Sequence, residues 1–255
     1  MSPMELPKES RITVLAGIIL LVILFIKICV NYKISMWFIP CAFLVSAFVS
    51  DLFTGLAHFG FDYIFPEKMP ILGPIASEFR QHHDDPTLDP QDYVVNLTKG
   101  AYCSIPFSIL GLALLHLDGG GWFFASMVVA GMSFWAFFFH QIHSYAHMGS
   151  FIPATELNET LRRIAAMQDS KKQKNELKKL FRKAPIPPAV RVLQNFRLML
   201  NPVEHNFHHV LFESDFSSVN GWSDPLVNIF LGPIARRYKL KEKATSPLEE
   251  HATKI

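Results

Sequence analysis

The chain has 255 residues, of which half are hydrophobic, and a formal net charge of only +2. No stretch combines low hydrophobicity with high net charge, so a long disordered tail is excluded. The three cysteines, Cys29, Cys41 and Cys103, lie in apolar runs without a C-x-x-C. That excludes a zinc–thiolate motif or disulfide framework and reads as small buried hydrophobes.

Residues 1–11 are polar, and residues 12–30 then carry one charge, Lys27. This run matches the roughly 20 residues that cross a bilayer. A signal peptide would have a shorter core and a small-residue cleavage site, which Asn31-Tyr32-Lys33-Ile34 is not. Residues 36–61 form a second span, interrupted by Asp51. The spacing of Asp51, His58 and Asp62, seven and then four, places them on one helical face. Residues 66–96 read as a polar loop carrying Phe79-Arg80-Gln81-His82-His83-Asp84-Asp85-Pro86. Adjacent histidines there are either solvated or metal ligands, with Asp84 among the groups that would orient them.

Residues 97–117 form a third span, with a kink expected at Pro106. Residues 122–147 form a fourth, which ends in His140-Gln141-Ile142-His143-Ser144-Tyr145-Ala146-His147. A continuing helix sets His143 and His147 on one face. The charged stretch 154–184 reads as a solvated insertion of two short helices, or as a basic surface for anionic lipid or an acidic partner. Residues 187–200 suit an amphipathic helix lying in the membrane interface, with Val192, Leu193, Phe196, Met199 and Leu200 on one face. Residues 204–209, Glu-His-Asn-Phe-His-His, supply three imidazoles. Residues 212–222 read as a loop, 226–234 as too short to span, and 239–255 as a charged tail.

The expected architecture is therefore an all-α integral membrane protein. It has four transmembrane helices, a histidine-rich cap and one interfacial helix, in a single domain over 1–255. Eight of the 11 histidines fall into four clusters. Four spans would bring all eight to the side of the N-terminus. All Lys and Arg except Lys27 and Lys33 fall on that side as well, so both termini and the cap are expected in the cytosol. The sequons at Asn96 and Asn158 should then be silent. Imidazole suits Fe, Zn, Cu and Ni, and eight rings are enough for two ions with about four each. Asp51, Asp62, Asp84 and Glu204 are candidate carboxylate ligands or supports. A transporter would place such groups near mid-span, where only Asp51 lies. Two readings remain open: a redox iron pair acting on a lipid chain, or a non-catalytic membrane zinc protein.

Five motifs sharpen the choice. They are Asp51-x-x-x-Gly55-x-x-His58 with Asp62, Phe79-Arg80-x-His82-His83-x-Asp85-Pro86, Gln141-Ile142-His143-x-x-x-His147, His205-x-x-His208-His209-Val210 and Gly221-Trp222. Together they resemble the Kua family of membrane desaturases, over roughly residues 35–149 and 185–235. That family includes plasmanylethanolamine desaturases and the plastid enzyme that makes a trans bond in the palmitate of phosphatidylglycerol. The resemblance implies two iron ions held by His58, His82, His83, His143, His147, His205, His208 and His209, with no separate catalytic residue. It implies O₂ as co-substrate and electrons from cytochrome b5 and its reductase. The implied reaction places the vinyl ether double bond in the sn-1 alkyl chain of plasmanylethanolamine, in the endoplasmic reticulum. An acyl-lipid desaturase or hydroxylase on the same scaffold is the alternative. No nucleic-acid partner is expected. Glu204 replaces the first histidine of the family's His-His-x-x-His-His, and 154–184 is longer than its animal counterpart. His116, His140 and His251 match no motif and are expected to be structural.

Overall fold

Among the described residues, four helices are long and apolar enough to cross a membrane, and their directions decide where the histidines meet. They are α1 (Lys8–Val30), α2 (Phe38–Phe59), α4 (Tyr93–Leu114) and α5 (Gly120–His147). The structure is a computed structural model that describes residues 8–31, 35–84, 86, 88–147 and 151–245; the side chains of Lys8, Asp84 and 239–245 lie outside that description. No strand occurs among the described residues.

Small residues bring the spans together. Without water between them, membrane helices gain little from apolar burial and associate through close backbone approach and polar contacts. Gly17 and Leu24 of α1 meet Ala101 and Gly111 of α4, so the two helices run in the same direction. Ser108 and Ser133 share a hydrogen bond of 2.6 Å, and Ser126 donates to the Gly111 carbonyl at 2.8 Å. Asn96 near the start of α4 reaches Gln141 and Ser144 near the end of α5, so these two are antiparallel. Phe38 packs on Phe124 and Phe43 on Trp135, which makes α2 parallel to α5. The ends of α2 and α5 therefore share one side with the starts of α1 and α4, as the topology read from sequence requires. Asn96 is buried, with its amide donating to the Asp89 carbonyl at 3.0 Å.

Above that end sits a cap of short helices. α6 (Ala154–Ala165) and α7 (Ser170–Arg182) are the two helices expected in the charged stretch. Their apolar sides, Leu157, Leu161, Ile164, Leu177 and Phe181, bury against Phe207 and Val210 of α9 (Pro202–Leu211). The stretch is therefore both solvated outside and the core of the cap inside.

Four expectations are corrected. The segment 66–96 is not simply a loop: it contains α3 (Leu72–Asp84), which carries His82 and His83 in its last turn. Pro74 lies in the first turn of α3, where its missing N–H costs nothing. The interfacial segment is helical only in α8 (Pro188–Asn195); Arg197 takes a left-handed backbone (φ 55) and Leu200 turns into the core. Residues 226–234 and the start of the tail form one helix, α10 (Asp224–Thr245), packed on α2 through Val227, Leu231 and Ala235. The rest of the tail, with His251, lies outside the described residues. The three cysteines are exposed rather than buried, because their spans turn them towards lipid instead of protein. Pro106 sits inside a continuous α4.

A Cβ on Gly100 would stand 2.0 Å from the Phe137 carbonyl oxygen of α5. Gly100→Ala should therefore force α4 and α5 apart and cost about 1–3 kcal/mol, as overpacking does. The measurement is a lowered melting temperature in detergent. Gly121→Ala is the control, since its Cβ would meet nothing within 4 Å.

Candidate metal centre

Each cluster is placed by its helix. His58 and Asp62 are four residues apart across the junction where α2 passes into a π-helical turn, Gly60–Ile64. His143 and His147 occupy successive turns at the end of α5. α3 supplies the adjacent His82 and His83. α9 supplies His205, His208 and His209, starting from the Asn201 cap, with Pro202 at its first position and Phe212 closing it in the left-handed conformation.

The eight imidazoles sort into two groups. His82, His143, His147, His205 and His209 each offer one ligand atom, all within 4.8 Å of one another; His58, Asp62, His83 and His208 form a second group to the same limit. Helical geometry explains the sorting. Neighbouring residues on a helix point about 100° apart, while residues four apart share a face. His82 thus goes to one group and His83 to the other, and α9 sends His205 and His209 one way and His208 the other. The groups adjoin, with the rings of His83 and His209 4.6 Å apart.

Nitrogens crowd inside each group. His205 Nε2 lies 2.7 Å from the Nε2 atoms of both His143 and His147 and 3.3 Å from that of His209. A neutral imidazole has one N–H and one lone pair, so single protons cannot satisfy so many converging nitrogens. In the second group the buried Asp62 Oδ2 and His208 Nε2 have no hydrogen-bond partner and face each other at 3.6 Å. His58 Nδ1 and His208 Nδ1 instead lie 2.9 and 2.8 Å from the carbonyls of Phe216 and Ser214. If those nitrogens carry the protons, both Nε2 lone pairs aim inward, as a metal ligand requires. A donor set of five nitrogens beside three nitrogens and a carboxylate fits two metal ions.

Burial keeps three rings of α3 and α9 neutral, those of His82, His205 and His209. It lowers the His82 imidazole to about 3, helped by the neighbouring His83, and holds His205 and His209 well below the usual histidine value. Neutral imidazole is the form that binds metal. A cavity of about 220 Å³, lined partly by Leu161, Val210 and Phe212, opens onto His83 and His209.

Asp51 lies in neither group. Its Oδ1 accepts the backbone N–H groups of Val219, Asn220 and Gly221 at 2.8–3.2 Å, and its Oδ2 accepts the N–H and hydroxyl of Ser223, both at 2.8 Å. Gly221 makes this wrap possible with φ +78. With five donors on its oxygens, the buried carboxylate holds the loop whose Phe216 carbonyl meets His58. Glu204 is also outside both groups and pairs with Arg197. Burial pushes its carboxyl upward, against the pull of Arg197. The Asp84 side chain lies outside the described residues. Among the unmatched histidines, His116 is exposed and His140 belongs to neither group. The loop carbonyls of Ser214 and Phe216 were not readable in advance, since any residue supplies a carbonyl.

A helical membrane protein with two adjoining, histidine-rich groups able to hold metal is the class that this geometry defines. Residues 47–182, more than half of the chain, match the lipid desaturase domain family. The chain belongs to that family and is an integral membrane protein of lipid desaturase type. Comparison with curated proteins and with solved structures finds no match. The matched span contains α2 from Ala47 on, together with α3 and α5 and the ligand candidates of all three, and the fold adds the three histidines of α9.

Asp51→Asn presents an amide N–H₂ to backbone N–H groups, which only donate. It should cost about 1–3 kcal/mol and speed hydrogen exchange at 216–223, whereas Asp62→Asn should leave that loop protected. Metal-free protein should also lose stability in acid. The rings of His82, His205 and His209 stay neutral when folded but titrate near the ordinary 6.5 once unfolded. Their contribution is complete above pH 6.5 and is lost as pH falls towards 3. A melting series from pH 8 to 4 should decline only below about 6.5.

Proposed function

We propose that this protein is an O₂-dependent di-iron desaturase that acts on the sn-1 alkyl chain of plasmanylethanolamine and makes the vinyl ether of a plasmalogen. The observation that carries the reading is the pair of adjoining ligand groups, eight imidazoles and Asp62, buried where membrane helices end. The motif resemblance to the Kua family supports the ether substrate, and family membership supports desaturation.

Iron at these sites would supply the oxidising power to remove two hydrogens from adjacent carbons. The balance is –CH₂–CH₂– + O₂ + 2 e⁻ + 2 H⁺ → –CH=CH– + 2 H₂O, with both electrons delivered one at a time by cytochrome b5 from its reductase. The chain's own task is positioning. The carbonyls of Phe216 and Ser214 hold the His58 and His208 rings, and Asp51 holds the loop that carries the first of these carbonyls. Phe79, Phe212 and Phe216 pack on ring edges and faces around the second group and help to keep water away. Fixed geometry of this kind supplies much of an enzyme's rate by holding reacting atoms together. The excess of Lys and Arg beyond the spans supports a cytosolic cap and cytosolic termini, while the endoplasmic reticulum rests on the family resemblance alone. The same excess also supports docking of an acidic electron donor.

Expression in cells that lack vinyl ether lipids tests the reading directly. Acid-labile vinyl ethers should appear, and the purified protein should hold two iron ions per chain. His83→Ala and His208→Ala should each reduce product at least a hundredfold while the protein still inserts in the membrane. Full activity in both variants, or stoichiometric zinc without turnover, would defeat it.

A further inference from the structure

A second cavity, of about 430 Å³, lies between α7, α8 and the first turn of α9. Its volume falls within the roughly 300–1,000 Å³ of small-molecule sites. Five cations line it, Lys174, Lys178, Arg182, Arg191 and Arg197, against one carboxylate, Glu204. Three of them, Lys174, Lys178 and Arg182, are spaced by four along one face of α7. Like charges at that spacing repel, so the stripe is unfavourable unless an anion lies across it.

The neutralisation already present is small. Glu204 pairs with Arg197, and Lys174 stands 4.0 Å from Asp215. Arg191 donates to the Ala184 carbonyl. Lys178 and Arg182 have no hydrogen-bond or ion-pair partner among the described residues and are exposed. The wall formed by Asn201, Pro202 and Val203 is the N-terminal turn of α9, whose helix dipole favours negative charge. Beside the cavity, α8 and the turn after it expose Val192, Leu193, Phe196 and Leu198; Phe196 is 74% exposed. Such an apolar surface suits the boundary between headgroups and acyl chains.

We infer that this cavity binds the phosphate of a phospholipid headgroup, with the lipid's chains lying along the exposed face of α8. A free phosphate would need the cations but not the apolar flank. The membrane source is favoured because the two surfaces adjoin on one short helix. Basic pockets of this kind at the cytoplasmic face of membrane proteins recognise lipid headgroups. The assignment stands apart from turnover, since it needs neither iron nor an ether bond.

The test uses the full chain in detergent micelles. Dioleoyl phosphatidylglycerol and dioleoylglycerol are offered separately, and retention is read by native mass spectrometry, with inorganic phosphate as a further arm. The phospholipid should be retained and the phosphate-free lipid should not. Lys178→Glu with Arg182→Glu should weaken retention about tenfold or more, at unchanged metal content. If that pair lowers metal content, Lys178→Gln with Arg182→Gln replaces it. Equal retention of dioleoylglycerol, or unaltered retention in the charge variants, overturns the inference. So does inorganic phosphate that binds as tightly as the lipid. Variants that keep the lipid but lose binding to an acidic haem protein would assign the surface to a protein partner instead. Desaturase-inactive His83→Ala should retain phospholipid like the parent, so failure here and failure of the desaturase reading are separable.

Discussion

Everything in this fold answers to one electrostatic demand. Eight imidazoles and a carboxylate must be held out of water with their donor atoms converging. Buried polar groups without partners cost free energy, and a protonated ring in this setting would cost far more. Burial holds His82, His205 and His209 neutral, and a cation within each group would satisfy the converging nitrogens. Five nitrogens meet in one group, and three nitrogens with a carboxylate meet in the other. The spans supply rigid ends for His58, His143 and His147, and the short helices α3 and α9 close the ring of donors from outside.

Holding the donors requires a brace that ligates nothing. Asp51 is the most buried charge of α2, and all five of its hydrogen bonds go to the 219–223 loop. That loop leads back to the Phe216 carbonyl facing His58. A charge inside a span is expensive. Here it is matched by backbone donors that would otherwise lie buried without acceptors. The same carboxylate thus explains a motif residue that a ligand count would leave unused.

Much of this was legible in the residues. The four spans follow from runs of apolar residues long enough to cross a bilayer, and the i, i+4 pair His143 and His147 from helical periodicity. The two helices of the charged stretch follow from Leu157, Leu161 and Ile164 and then Leu177 and Leu180. Other parts were obscured for physical reasons. The stripe Leu72, Ile75, Phe79 of α3 was masked by Pro74 and the polar residues around it. The apolar core of α10 is too short to reveal its length, which Asp224-Pro225 opens as a helix start and the charged residues beyond it extend. The cysteines were misplaced because apolar sequence does not say whether its neighbour is protein or lipid. How the histidines divide between two groups depends on helix orientation in space, which periodicity constrains but does not determine.

That division has an evolutionary corollary. His82 and His83 serve different groups, as do His208 and His209, so α3 and α9 are each common property of both sites. Slipping either helix by a single residue would move one site's ring into the other and leave the first facing a side chain that is not histidine, so no insertion or deletion within those turns could be absorbed locally. The two groups therefore constrain each other: a change of register that serves one cannot leave the other intact.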